Sequence, residues 1–449
     1  MGGWVMSFRG MKTVLLACSG IAALIAATAD ANAGGLAVRE QSAYGQGSSF
    51  AGVAAGGSLS SMFWNPATMT QQAGLQIESS LSGILPYSAN TPTAVTGAGT
   101  SLAFGGTGNV GHAALVPSSY YSYQFNQKLW LGLSVNAPFG LAETFPDVWA
   151  GRKFAAGGEN LTTYNFVPSI AYKINDWISV GVGAQIQYAK LTFTQGTSLG
   201  PTNQAAVNGA GWAYGFTAGL TVTPTPTTTV GLGWRSGMDQ KINGAFTANA
   251  LCVLTQCGSI NGTINVPDIV SLGLRQKLSS QWTVMGTVEW SHWGRTTNVA
   301  ILQPNGAQVT LAGNPLVIPL NYRDGWFFSA GAEYQWSPQV ALRGGIGFEQ
   351  SPVTDTVRGP AIPDNDRLWL SIGGTYKYSA KTTFDLAYSH VFVKSAPINI
   401  VDATNPAFIP GVTGTYTGTV DSHVDIISVA LRYRWDNPAP APVSTLPHK

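Results

Sequence analysis

The stretch Asp421-Ser422-His423-Val424-Asp425 sets a histidine two residues from a carboxylate on either side, the residue types of a general base with an orienting acid. No nucleophile or second acidic pair stands at a matching place, so a lipase or protease reading has a base and nothing for it to activate. Gly106 to Gly111, GTGNVG, satisfies the glycine spacing of a dinucleotide loop, but Pro117 follows where the required helix would run. Gly196 to Gly200, GTSLG, places Ser198 in a G-x-S-x-G frame that leads into Pro201 and polar loop rather than a helix. Cys252 and Cys257 form an isolated C-x4-C pair with no histidine close by, short of the four ligands of a zinc site. In an exported chain such a pair is expected to close one loop as a disulfide. No metal and no cofactor is expected.

Composition points to the setting of these residues. Only 10% of the 449 residues are charged and 45% are hydrophobic, against about 25% charged in ordinary soluble domains. The one long apolar run is VLLACSGIAALIAATA, preceded by Arg9 and Lys12 and followed by Ala31-Asn32-Ala33. This is the layout of a secretory signal, residues 1–33, with Met11 an alternative start. Reading Leu15 to Cys18 as a lipoprotein box competes, but the apolar run continues past the cysteine. Residues 1–33 hold Arg9, Lys12 and Asp30, so 21 basic and 20 acidic residues remain of the original 23 and 21. A balance this close to neutral gives no electrostatic case for a nucleic-acid partner.

A membrane-like composition without helical spans leaves a closed barrel, whose strands alternate lipid-facing and lumen-facing residues. Trp282, Val284, Gly286, Val288 and Trp290 share one face, with Thr283, Met285, Thr287 and Glu289 on the other. Residues 178–188 and 427–435 alternate in the same way, and weaker repeats extend the count to fourteen strands. Short connections at 125–128, 174–177, 223–228, 278–282, 336–339 and 378–382 alternate with longer ones near 88–110, 138–158, 195–209, 247–261, 303–318, 350–365 and 397–416. The expected fold is therefore all-β: a fourteen-stranded antiparallel transmembrane β-barrel, residues 73–435, with both termini in the periplasm. A soluble β-sandwich would bury its apolar faces and leaves the bilayer-spaced aromatics unexplained.

A ring that wide encloses more space than its own wall fills, since about eight strands already make a filled interior. Residues 34–72, small and mildly apolar, are expected to plug it with short helices, Phe63, Trp64 and Met69 meeting the wall and Asn65-Pro66 fixing a turn. A disordered leader is the competing reading. After Trp435, residues 436–449 (DNPAPAPVSTLPHK) read as a Pro-rich periplasmic tail.

The succession of FWNPA (63–67), NAPFGLAETF (136–145), VPDIVSLGL (266–274), VEWSHWGR (288–295) and RGPAIPDNDRLWLSIGGTY (358–376) resembles the FadL/TodX family of outer-membrane transporters for long-chain fatty acids and other hydrophobic compounds. The resemblance implies a barrel closed by an N-terminal hatch whose motif is Asn65, Pro66 and Ala67. It further implies that this motif packs near a kink in the third strand, through which ligand leaves sideways. On this sequence that strand is Lys128 to Pro138, with Gly132, Asn136, Pro138 and Gly140 as kink candidates. In one departure, the stretch before Asn65-Pro66-Ala67 is Gly56-Gly57-Ser58-Leu59 and carries no acidic residue, so a latch must be made otherwise.

Passive uptake of hydrophobic compounds is the expected function, by capture at the loops, passage through an apolar pocket and gating by the hatch. No energy-coupling motif is present. Phe145, Trp149 and Phe154, with Val148, are loop candidates for capture, as is 311–320, although each can equally serve loop packing. Arg235 and Arg343 are the candidates for an anionic headgroup among the lumen-facing charges, most of which are expected to pair across the lumen. The expected partners are a hydrophobic small molecule, outer-membrane lipid and lipopolysaccharide, around a monomer. A general porin is the rival, with an open lumen and no use for residues 34–72.

Overall fold

In a bilayer a ribbon cannot leave an edge unpaired, so strands with one apolar face must close into a ring. The computed structural model describes residues 35–197, 203–248, 252, 257–311, 314–409 and 413–436. The expected signal peptide, Cys18, and the tail beyond 436 lie outside them. Among the described residues fourteen strands make the ring: β1 Leu75–Val95, β2 Ala114–Gln124, β3 Leu129–Asn136 continued by Gly140–Phe145, β4 Gly157–Lys173 and β5 Ile178–Gly196. Then come β6 Gln204–Thr225, β7 Thr228–Arg235 with Met238–Thr247, β8 Gly258–Val266 with Ile269–Lys277, and β9 Trp282–Ser291. The ring is completed by β10 Gly325–Gln335, β11 Val340–Gln350, β12 Arg367–Lys377, β13 Thr382–Val393 with Ala396–Ile400, and β14 Tyr416–Arg434. Every neighbour is antiparallel, and β14 returns to β1 from Gln76 opposite Arg434 to Val95 opposite Tyr416.

The two faces divide as alternation requires. Val182, Phe216, Ile372 and Leu386 each expose more than half of their surface outward, while Ser179, Gln185 and Gln187 are buried inside. The strands run further than bilayer thickness alone predicts. The third strand resumes after Pro138 and reaches Phe145, and the connections expected at 195–209 and 247–261 shrink to the residues between Gly196 and Gln204 and between Thr247 and Gly258. Above the membrane the outer face meets water, so the apolar signal fades while ladder hydrogen bonds still favour pairing.

Residues 35–72 lie within the ring as α1 (Ala43–Gln46) and three 3-10 turns, Val53–Ala55, Leu59–Phe63 and Pro66–Gln71. The Ser42 side chain caps α1 by accepting from Gly45 N, and Asn65 caps the last turn with Pro66 at its first position. These turns reach the wall because glycines there remove the side chains that would block them. A Cβ at Gly219 would fall on the Asn65 side chain, one at Gly181 on the Pro66-Ala67 backbone, and one at Gly345 on Ser48.

Candidate functional site

Asn65 is wholly buried and uses its entire amide. Nδ2 donates to Ala54 O (2.7 Å) and to Leu220 O on β6 (2.9 Å), while Oδ1 accepts from Ala67 N (3.0 Å). Asn65-Pro66-Ala67 therefore sits at the periplasmic ends of β5 and β6, not beside the break in β3 that the resemblance pointed to. Met62 and Met69 reach β3 lower down, at Gly132.

That break is a one-residue bulge. Asn136 is paired with Asn165 and Gly140 with Thr162, so four steps on β3 oppose three on β4. Thr163 Oγ1 fills the interruption by accepting from Phe139 N (3.0 Å) and donating to Phe139 O (2.6 Å). On the other side the β2–β3 ladder ends at Ser119 opposite Val135. Continued two residues, that register would place Pro117 opposite Ala137, and next Val116 opposite Pro138, so each edge carries a residue without a donor. The N-terminal segment binds there instead: Val38 N donates to Pro138 O (2.8 Å), Gly140 N to Leu36 O (2.9 Å), and Gln41 Nε2 to Ala137 O (2.8 Å). Tyr120 OH and Ser118 Oγ donate to Gln41 O from β2 (2.7 and 3.1 Å).

The rest of the plug is fixed by charges on the wall. Arg39 donates to Glu289 (2.8 Å) and Glu349 (3.3 Å), and its guanidinium lies 3.7 Å from the Phe327 ring centroid. Ser60 N donates to Glu78 (3.1 Å). Tyr44 donates to Glu333 (2.8 Å) under the guanidinium of Arg343, 3.9 Å from its ring. Gly35 N donates to Asp364 (2.9 Å), which also takes the guanidinium of Arg367. The latch thus places its carboxylates on the barrel rather than in the residues before Asn65.

Above the plug the outer loops line an apolar recess, with about 840 Å³ of space between protein atoms when the solvent at its opening is counted. Its apolar lining includes Phe154, Phe193, Val207, Phe246, Leu316 and Ile318, with Glu159 and Tyr322 among its few polar groups. A chain of rings leads down from it: Tyr322 is 5.8 Å from Trp293, which is 6.0 Å from Phe139 in the β3 break. A smaller recess beneath, lined by Val38, Phe63, Trp64, Pro138 and Trp293, touches both plug and break.

The family model for outer membrane protein transport proteins (OMPP1/FadL/TodX) matches residues 23–435. The chain belongs to this family. It is 24% identical to outer membrane protein P1 of Haemophilus influenzae, over 92% of this chain and 97% of that protein. It is 25% identical to the long-chain fatty acid transport protein of Salmonella typhi, over 65% of this chain and 73% of the relative. In structure it is similar to a Pseudomonas aeruginosa FadL homologue (TM-score 0.79, 22% identity, 90% of this chain and 100% of that one). It is also similar to the Pseudomonas putida toluene transporter TodX (TM-score 0.60, 16% identity, 89% and 99%). The protein is accordingly an outer-membrane β-barrel of a transport family, not an enzyme.

Within this family member the remaining candidates separate by location. Phe154 and Leu316 to Pro319 line the cavity. Phe145 and Trp149 are instead buried in a loop cluster with Tyr416 and Ile398. Arg343 is occupied by Glu333 (2.9 Å) and Asp385 (3.1 Å), and Arg235 donates to Phe63 O (3.0 Å) and lies over the Phe63 ring; neither lines the cavity. Cys252 and Cys257 are joined in a disulfide in the β7–β8 connection. His423 lies on the outward face of β14, stacked on Tyr87, and the carboxylate of Asp425 is held by Tyr388 and His390. Glu159 and Tyr322 carry no sequence signal of their own, and Trp293 stands in the VEWSHWGR motif without a role that the motif reveals; only the tertiary structure gathers them. The IPDNDR run had such a signal, and Asp364 gives its role: it ties down Gly35 while Ile362 faces the cavity.

Proposed function

We propose that this transporter takes up hydrophobic molecules passively, from the outer loops through the apolar cavity and sideways into the membrane at the β3 break, with residues 35–72 as the gate. An apolar cavity open to the outside, separated from an unpaired seam in the wall only by plug residues and a chain of rings, carries this reading. A molecule insoluble in water gains nothing from an aqueous exit below; a seam facing lipid offers it an environment as apolar as its own. Relatives named for fatty acids and a structural neighbour named for toluene agree with a hydrophobic cargo. Opening requires Leu36, Val38 and Gln41 to release the seam, and downhill diffusion supplies the drive.

Deleting Pro138 tests the exit, because it removes the extra residue and lets β3 pair continuously. Cells producing this variant are expected to lose uptake of labelled alkane and fatty acid to the level of cells without the protein, while the variant keeps the heat-modifiable gel mobility of a folded barrel. Undiminished uptake by a folded variant would place the exit elsewhere.

A further inference from the structure

Glu159, at the outer end of β4 above the membrane, lines the outer cavity and is 2% exposed. Its Oε1 accepts from Thr194 N on β5 (3.1 Å), and Oε2 has no hydrogen-bond partner among the described residues. No lysine or arginine stands among the described residues that line the cavity. The other titratable group facing Glu159 across the ladder is Glu143 on β3, a second carboxyl rather than a cation. Enclosed by apolar side chains with no cation to balance it, a carboxyl stays protonated. Burial accordingly holds that of Glu159 well above the ordinary carboxylate range. In this form Oε2 is an O–H donor with nothing to donate to. Tyr322, buried in the same lining, also has a hydroxyl without a partner, and it begins the chain of rings through Trp293 to Phe139.

A polar atom shut away from water costs free energy until something hydrogen-bonds to it. Resting on the hydrophobic-uptake reading above, we propose that the cavity takes the polar head of its cargo uncharged, so that fatty acids bind as protonated acids, and that Glu159 is the specificity-determining residue that donates to the head's carbonyl oxygen. The acid's own O–H is free to donate to the remaining lone pair of Glu159 Oε1, which completes two hydrogen bonds between two carboxyl groups. Each keeps its own proton, and the acid brings its proton from the water outside. Tyr322 OH offers the next donor to a head moving toward the β3 break. An ionised head would enter this lining without a counter-charge and with its hydration unreplaced. The uncharged acid is also the form that dissolves in lipid at the seam, so recognition and sideways exit demand the same protonation state.

The test uses the purified full-length protein in detergent, with the neutral fluorophore N-phenyl-1-naphthylamine displaced by decanoic acid, methyl decanoate or decane. In wild type the apparent affinity for decanoic acid is expected to fall on the order of several hundredfold from pH 5 to pH 8, in step with the fraction left protonated. Methyl decanoate, which accepts a hydrogen bond and does not ionise, is expected to hold its affinity. At pH 5, Glu159→Leu removes the donor and is expected to weaken decanoic acid and methyl decanoate about tenfold relative to decane. Glu159→Gln, which keeps a donor and an acceptor for Thr194 N, is expected to bind both as wild type does. Heat-modifiable gel mobility identifies the folded variants. Decanoate binding as tightly at pH 8 as at pH 5, or an unchanged ratio to decane in folded Glu159→Leu, would overturn the proposal while leaving hydrophobic uptake standing. If none of the three compounds displaced the fluorophore, both readings would fall.

Discussion

Asn65 shows how one side chain can anchor the plug. Its three hydrogen bonds join two turns of the plug to β6, and Asn65→Ala strands the carbonyls of Ala54 and Leu220 in a buried site. The docked plug is expected to lose about 2–4 kcal/mol, at roughly 1 kcal/mol for each bond and more for acceptors left unpaired. Faster amide exchange across residues 53–69, with the barrel strands unaffected, would register this. Glu40 acts through protonation. Burial, reinforced by Glu349, pushes its carboxyl up to about 7 despite Arg367 and Arg39. A raised acid favours the docked plug in its neutral form, so its contribution is complete below the free value of 4.5 and is lost as pH rises through about 7. The difference amounts to about 3 kcal/mol. Ion conductance of the reconstituted protein is therefore expected to rise between about pH 4.5 and pH 7 in wild type and to stay flat in Glu40→Gln; a rise in both would assign the effect to another group.

At the scale of elements, the wall is shaped to receive the plug. Inward glycines on several strands admit backbone where a side chain would stand, and the cost of substitution depends on which face is altered. Gly219→Ala forces a methyl into Asn65 and is expected to cost about 1–3 kcal/mol of plug docking. Gly286 instead looks outward, with nothing closer to a Cβ than Ser329 O at 3.6 Å, so Gly286→Ala is expected to change neither conductance nor stability. Comparing the two by conductance and thermal gel shift separates loss of plug docking from loss of the barrel. The β3 bulge follows the same logic from the backbone side. Pro117 and Pro138 withhold donors at one seam, and the plug supplies partners for the groups that remain.

At the scale of the whole molecule, a ring of fourteen strands is stable as a wall and useful only with something inside it. The lumen holds a segment too short to fold alone, fixed by Arg39, Tyr44 and Ser60 against Glu289, Glu349, Glu333 and Glu78. Deleting residues 34–72 is expected to leave a folded barrel whose single-channel conductance rises sharply; an unchanged conductance would mean that the plug does not close the pore, as in a porin.

The sequence by itself determined the wall: alternation with period two, aromatics at bilayer spacing and alternating loop lengths are local properties, so fourteen strands and their inward and outward faces could be read residue by residue. It also marked Asn65-Pro66-Ala67 and the 136–140 break, because proline and glycine disrupt ladders wherever they stand. Strand ends above the membrane were not legible, since pairing there rests on backbone hydrogen bonds that leave no apolar pattern. The cavity was decided only by the tertiary structure. Glu159, Phe246, Leu316 and Val353 lie on four separate strands and loops, and no spacing within the chain records that closure of the ring brings them around one space.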